Sequence, residues 1–249
     1  MIRRIPKSCL ALGLAAFAIL PACGQGGGSP SNRAEMEKVV REYILANPGL
    51  IEEALVALTQ QEAENTRLAT KAKIAENSER LFNLSTDYSV GPADAPVTVV
   101  EFFDYRCGYC KRSAAWVADL PEMYDGQVRV VFKELPIFGG ISATAARAAL
   151  AAGRQDKYLE MHLELMDIRS NEDLTETAID EIAAGLGLDV ARMRRDMESS
   201  EIQAQLADMI ELGRTLNVNG TPGFIIGDEV VEGANTPRIQ QVITAQLGG

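Results

Sequence analysis

Histidine occurs once in the 249 residues, at position 162, and tryptophan once, at 116; aromatic residues make up only 6%. A centre built on several imidazoles is thereby excluded. Positive charge is also short: 24 Lys and Arg stand against 35 Asp and Glu, a formal charge of −11. Such a chain has no general electrostatic hold on a phosphate backbone, so no nucleic-acid partner is expected. The apolar stretch Cys9–Leu20 has twelve residues, well short of the roughly 20 that cross a bilayer as a helix. What is abundant is ordinary: 47% hydrophobic and 24% charged residues describe a globular chain, long enough for one large domain or one domain with an appendage.

The N-terminus reads as a targeting segment. Arg3, Arg4 and Lys7 precede the short apolar run, and Pro21-Ala22-Cys23 makes a small-residue exit, the pattern of a secretory signal over residues 1–22. Leu20-Pro21-Ala22-Cys23 resembles a bacterial lipobox, which implies lipidation of Cys23. Residues 23–32 then form the lipidated cysteine and a tether whose Gly-Gln-Gly-Gly-Gly-Ser-Pro-Ser has nothing apolar to bury. Removing the leader takes three bases with it and leaves 21 basic and 35 acidic residues. Membrane contact is therefore expected through the lipid anchor alone. No Asp follows Cys23, so the destination expected is the periplasm, at the outer membrane.

Cysteine is the next scarcity, with four in all. Cys9 belongs to the leader and Cys23 to the lipid, which leaves Cys107 and Cys110 in Cys107-Gly108-Tyr109-Cys110. A zinc site wants about four Cys or His ligands, and His162 lies far along the chain, so no metal and no organic cofactor is expected. The flanks suit a redox pair. Val97–Phe103 is a β-branched and aromatic run that reads as a buried strand. From Cys107 a helix is predicted to run to Pro121 or slightly beyond. Cys107 then stands at a helix N-terminus, where free N–H groups and the dipole favour the thiolate. Cys110 lies one turn on, placed to resolve a mixed disulfide.

The segment Glu101-Phe102-Phe103-Asp104-Tyr105-Arg106-Cys107-Gly108-Tyr109-Cys110-Lys111-Arg112 resembles the active site of DsbA-like periplasmic thiol–disulfide oxidoreductases of the thioredoxin superfamily. Asn219-Gly220-Thr221-Pro222-Gly223-Phe224 resembles that superfamily's cis-proline loop. The resemblance implies that Pro222 faces the two sulfurs and that the backbone of Thr221 pairs with a bound peptide. It implies an acid at Glu101 beneath the redox pair, able to take the proton of Cys110. It also implies an α/β fold: a thioredoxin fold over residues 86–249 with a helical insertion at about 142–216. Val128–Glu134 reads as a further strand, and helices of the insertion are expected to be capped by Ser142, by Asn171 or Thr175, and by Asp189. A hairpin around Gly227-Asp228 and a helix over 237–247 close the chain.

The dipeptide Gly108-Tyr109 departs from the Pro-His of strongly oxidising DsbA enzymes. Without that histidine a less acidic Cys107 is expected. Gly-Tyr with Thr before the proline is the combination of the isomerase DsbC, so isomerase or reductase chemistry is favoured. Tyr109, with Gly108, is expected at the surface as a substrate contact, and Ile137 and Phe138 as part of an apolar rim or as core. Lys133 reads as a solvated strand lysine or as a partner for Glu101. His162 and Trp116 read as packed residues.

Residues 33–85 form a helical arm, one helix over 33–46 and a longer one over 50–84, separated by Asn47-Pro48-Gly49. Ile51, Leu55 and Leu58 give a short apolar stripe, too brief for a long coiled coil. The arm resembles the oligomerisation segment of ScsC-type DsbA-like proteins, which implies a homo-oligomer, dimer or trimer. The expected partners are unfolded or misoxidised exported proteins and a membrane redox partner. Two alternatives stand beside an isomerase: a monomeric DsbA-like oxidase, and a Cu(I)-binding envelope lipoprotein in which the two thiolates hold the soft ion.

Overall fold

The computed structural model describes residues 30–248; the expected leader, Cys23 and the tether up to residue 29 lie outside the described residues. The chain divides into two units, residues 1–59 and 60–249. In the first, α1 (Pro30–Ala46) is followed by the start of α2 (Gly49–Glu76). The break falls at Asn47-Pro48, because Pro48 cannot donate to a continuing helix. Met36, Val39, Val40, Tyr43, Leu55 and Leu58 are all exposed within this unit.

The expected helix over 50–84 is two helices. α2 ends at Glu76, Asn77 intervenes, and α3 covers Ser78–Phe82. Ile74, at the end of α2, and Leu81, in α3, both bury in one core.

The second unit is built on a five-stranded sheet in the order β1-β3-β2-β4-β5. β2 (Val97–Phe103) and β3 (Val128–Glu134) run parallel at its centre, while β4 (Gly223–Ile226) and β5 (Glu229–Glu232) form an antiparallel hairpin on one side. On the other edge lies β1 (Tyr88–Val90), antiparallel to β3; three residues carry too little pattern to be read from sequence. The thioredoxin-like α/β fold expected from the sequence is thus present.

Register decides which side chains share a face. Glu101 pairs with Phe132 and Phe102 with Lys133, and alternation sends neighbours to opposite sides. Val99, Glu101 and Phe103 face the larger core with Val130, Phe132 and Glu134; Val100 and Phe102 face the smaller one with Val131 and Ile225. Lys133 therefore does not pair with Glu101. It is fully buried on the opposite face, where its Nζ donates to Asp87 and to the Arg80 carbonyl.

Between β3 and β4 the chain makes α6 (Ile141–Gly153), α7 (Tyr158–Asp167), α8 (Glu176–Gly185), α9 (Val190–Met197) and α10 (Ser200–Thr215). Six alanines of α6 are buried, and their small side chains let α7, α9 and α10 pack closely on it. Thr175 and Asp189 cap α8 and α9 by accepting from Ala178 N and Arg192 N. Ser142 is not a cap. The helix starts one residue earlier, after Gly140, and the Ser142 hydroxyl is spent on Asp104. Asn171 is not one either; its amide donates to the Arg106 carbonyl. The closing helix α11 spans Thr236–Leu247.

Candidate active site

β2 delivers the site. At its end Asp104 is buried and ties three segments together: Oδ1 accepts from Arg106 N at 2.7 Å and from Ser142 Oγ at 2.8 Å, and Oδ2 from Phe138 N at 3.1 Å. Sequence reasoning passed over Asp104. An aspartate two residues before a chain reversal is an Asx-turn signal that could have found it.

The turn places Cys107 as N-cap of α4 (Gly108–Ala118). Helix α4 ends before Pro121, and α5 (Leu120–Met123) begins with that proline in its first turn. Pro121 therefore starts a helix, where its missing N–H costs nothing, instead of stopping one. Cys110 lies on the buried side of α4, and Ser113 Oγ donates to the Tyr109 and Cys110 carbonyls.

Cys107 and Cys110 are free thiols. Cys107 is only 6% exposed and Cys110 is fully buried. The Thr221–Pro222 peptide is cis, and the Thr221 carbonyl accepts from Cys107 Sγ at 3.1 Å. The loop ahead of β4 thus sits directly against the reactive sulfur, 114 residues away in sequence. Tyr109 is 61% exposed beside it, with Phe138 at 52% and Ile137 at 47%; of the readings open for Ile137 and Phe138, the exposed rim is the one observed.

The two thiols are strongly unequal. Cys107 is held at about 5, first by the hydrogen bond from the Cys110 thiol and then by the N–H groups of Cys110 and Tyr109, against the opposing effect of burial. No histidine stands between the cysteines to stabilise the thiolate. The neighbouring thiol and the helix N–H groups supply the stabilisation instead. Cys110 is pushed far up by burial, by donating to Cys107 and by the charge of Glu101.

Glu101 lies on the same sheet face as the larger core, 1% exposed, with Oε2 lacking any hydrogen-bond partner. Burial, and then the Cys107 thiolate, raises it to about 8. Beyond it, Glu134 accepts from Tyr105 Oη at 3.1 Å and Tyr158 Oη at 3.0 Å. His162 is packed as the sequence suggested, fully buried with Nδ1 3.2 Å from Tyr105 Oη. Burial lowers it to about 3, so it stays neutral. Trp116 packs at the margin of the core. Among the described residues no cluster of three or more His, Cys, Asp or Glu side chains could hold a metal ion.

Comparison with known proteins follows this geometry. The family model described as "Thioredoxin" matches residues 83–244. The chain belongs to the thioredoxin family. A second model, the N-terminal domain of the copper resistance protein ScsC, matches residues 32–65. The thioredoxin-family chain is similar to the Proteus mirabilis ScsC structure in a transitional conformation, at 28% identity over 88% of this chain and 99% of that one, with a TM-score of 0.64. A thioredoxin-like oxidoreductase from Silicibacter pomeroyi is 38% identical over 69% and 98%, TM-score 0.64. The thiol-disulfide exchange protein alpha-DsbA2 from Wolbachia pipientis is 28% identical over 72% and 96%, TM-score 0.65. The chain spans 21% and 25% of the length of the two Salinispora Na⁺/H⁺ antiporters NhaA that it matches among curated relatives. It is a thioredoxin-like protein, similar in structure to DsbA-like and ScsC proteins.

Proposed function

We propose that this protein is an exported disulfide isomerase or reductase of the bacterial periplasm, anchored at the outer membrane through Cys23. The observation that carries the exchange chemistry is the Cys107 sulfur at the start of α4, 3.1 Å from the carbonyl that precedes the cis-proline. Held at about 5, it is a thiolate at neutral pH and attacks a client disulfide. The Cys107–client S–S bond forms as the client S–S bond breaks, and the departing client sulfur leaves with the electron pair and takes up a proton. In isomerisation that thiolate, or another of the client, attacks the mixed disulfide and regenerates the Cys107 thiolate. In reduction Cys110 attacks Cys107 Sγ, the second client sulfur leaves, and the Cys107–Cys110 disulfide holds the oxidising equivalents.

The second reaction needs the Cys110 proton removed. Glu101 is the acceptor: burial, and then the charge of the Cys107 thiolate, keeps it protonated, and forming the mixed disulfide abolishes the second of these. One of the two effects that oppose its ionisation is lost at the step that uses it. Thr221, whose carbonyl lies 3.1 Å from the Cys107 sulfur, is the backbone site for an extended peptide, and Gly108 and Tyr109 border it. The apolar residues exposed along α1 and α2 support self-association through the arm. Isomerase chemistry benefits when several sites meet one client.

A specific observation favours a second reading. A Cys107 thiolate stabilised to about 5 favours the reduced pair, which makes the disulfide a better oxidant, the property of an oxidase. Refolding of ribonuclease separates the two. Scrambled ribonuclease regaining activity with reduced protein supports the isomerase; activity gained only from reduced ribonuclease, with oxidised protein, supports the oxidase. Light scattering that finds a monomer at micromolar concentration removes self-association.

A further inference from the structure

The mouth of the site runs against the charge of the molecule. Acids outnumber bases by 11 over the chain, yet no Asp or Glu occurs between Tyr105 and Ala118, between Leu135 and Gln155, or between Leu212 and Gly227. These are the three segments that meet around Cys107: the turn with α4, the loop carrying Ile137 and Phe138, and the cis-proline loop. Arg106, Lys111 and Arg112 flank the cysteines. Lys111 is turned away, its Nζ donating to the Ile168 carbonyl. The two arginines remain at the mouth, each laid on an exposed aromatic ring: the Arg112 guanidinium is 4.4 Å from the Tyr109 centroid and that of Arg106 5.7 Å from the Phe138 centroid.

Neither guanidinium has a carboxylate within 4.0 Å among the described residues, whereas Arg80, Arg154, Arg194 and Arg238 are each paired with an acid. The adjoining loop touches Arg106 through the Asn171 amide on its carbonyl, not through Glu172 or Asp173. Arg106 Nε is buried with no hydrogen-bond partner. Stacking on a ring leaves the edge N–H groups of a guanidinium free to meet a carboxylate.

We propose that Arg106 and Arg112 are specificity residues that select client disulfides flanked by acidic side chains, with Tyr109 and Phe138 holding the two guanidinium groups on either side of Cys107. The proposal rests on thiol–disulfide exchange at Cys107 and adds the charge class of the client. Opposite charge steers encounter and lowers the energy of the docked state, and like charge opposes both.

The test uses three otherwise identical peptides with one internal disulfide, its cysteines flanked by Glu, Gln or Lys. Rates of reduction by the reduced full-length protein are divided by those with 2-mercaptoethanol, which removes the intrinsic effect of each flank on its disulfide. The Glu peptide is expected to exceed the Lys peptide by about tenfold at low ionic strength, converging in high salt. In the double variant Arg106→Gln, Arg112→Gln the ratio falls towards one. Because the ratio is taken within one protein, any change in Cys107 acidity cancels. A ratio near one in the parent, or one unchanged in the double variant, overturns the proposal. No reaction of the Gln peptide overturns the exchange chemistry itself.

Discussion

Replacing Glu101 by Gln tests the electrostatics of the site on the protein's own stability. In the unfolded chain this carboxyl loses its proton near 4.5, while in the folded chain it holds it to about 8. A raised folded value means that the native state binds a proton the unfolded state has lost, so stability is retained below 4.5 and declines as pH rises to 8. At about 1.4 kcal/mol for each pH unit in that window, the penalty reaches about 3 kcal/mol at pH 7. Glutamine is neutral throughout and nearly isosteric. Oε2 has no hydrogen-bond partner to lose, so the neutral amide replaces a neutral acid at small cost near pH 4.5. Urea unfolding of parent and variant at several values between pH 4.5 and 8 gives the difference directly, since titrating groups remote from Glu101 cancel. The variant is expected to gain steadily and to lead by about 3 kcal/mol at pH 7. A stability difference that stays flat across this range would refute the reasoning, because it would mean that Glu101 titrates alike in both states.

Three further outcomes follow from other contacts. The rate of iodoacetamide capture at Cys107 should rise with a midpoint near pH 5, while Cys110 stays unlabelled in the folded protein; mass spectrometry of the two sites checks both. In Cys110→Ala the midpoint moves upward, because the hydrogen bond from Cys110 is the first contributor. Lys133→Met alone strands Asp87 in the interior and is expected to cost about 3–5 kcal/mol; combined with Asp87→Leu, most of that loss returns in denaturant melts. In Gly153→Ala the new Cβ would lie 2.0 Å from Cζ of Tyr88, whose ring is stacked on Tyr158 at 4.2 Å. A loss of about 1–3 kcal/mol is expected, and a variant as stable as the parent would show that β1 can shift freely.

Much of this site could be read before any coordinates, because its parts are local. A β-branched strand followed by Cys-x-x-Cys and an apolar helical face specifies the order strand, turn, helix, and the thiolate at a helix start follows from those few residues. The Thr221-Pro222 loop was legible by its resemblance alone; nothing in its own composition says what it faces. Lys133 was misassigned for a related reason. Its face depends on β2–β3 register, and one residue of alternation separates the Glu101 side of the sheet from the Asp87 side. Asp104 accepts hydrogen bonds from Phe138 and Ser142, 34 and 38 residues away, a relation that no local pattern encodes.

What the chain alone determined is the chemistry on offer: one closely spaced pair of thiols, a single histidine and an excess of acid, all properties that survive in any conformation. Only the tertiary structure decided how acidic Cys107 is, since its donors are a neighbouring thiol and helix N–H groups, set against the burial that the loop 114 residues away helps to impose. Only the tertiary structure, likewise, gathered three acid-free segments around that sulfur and left two arginines there without carboxylates. Covalent order lists charges and thiols; the field that each one feels depends on distances through a low-dielectric interior, and folding alone sets those.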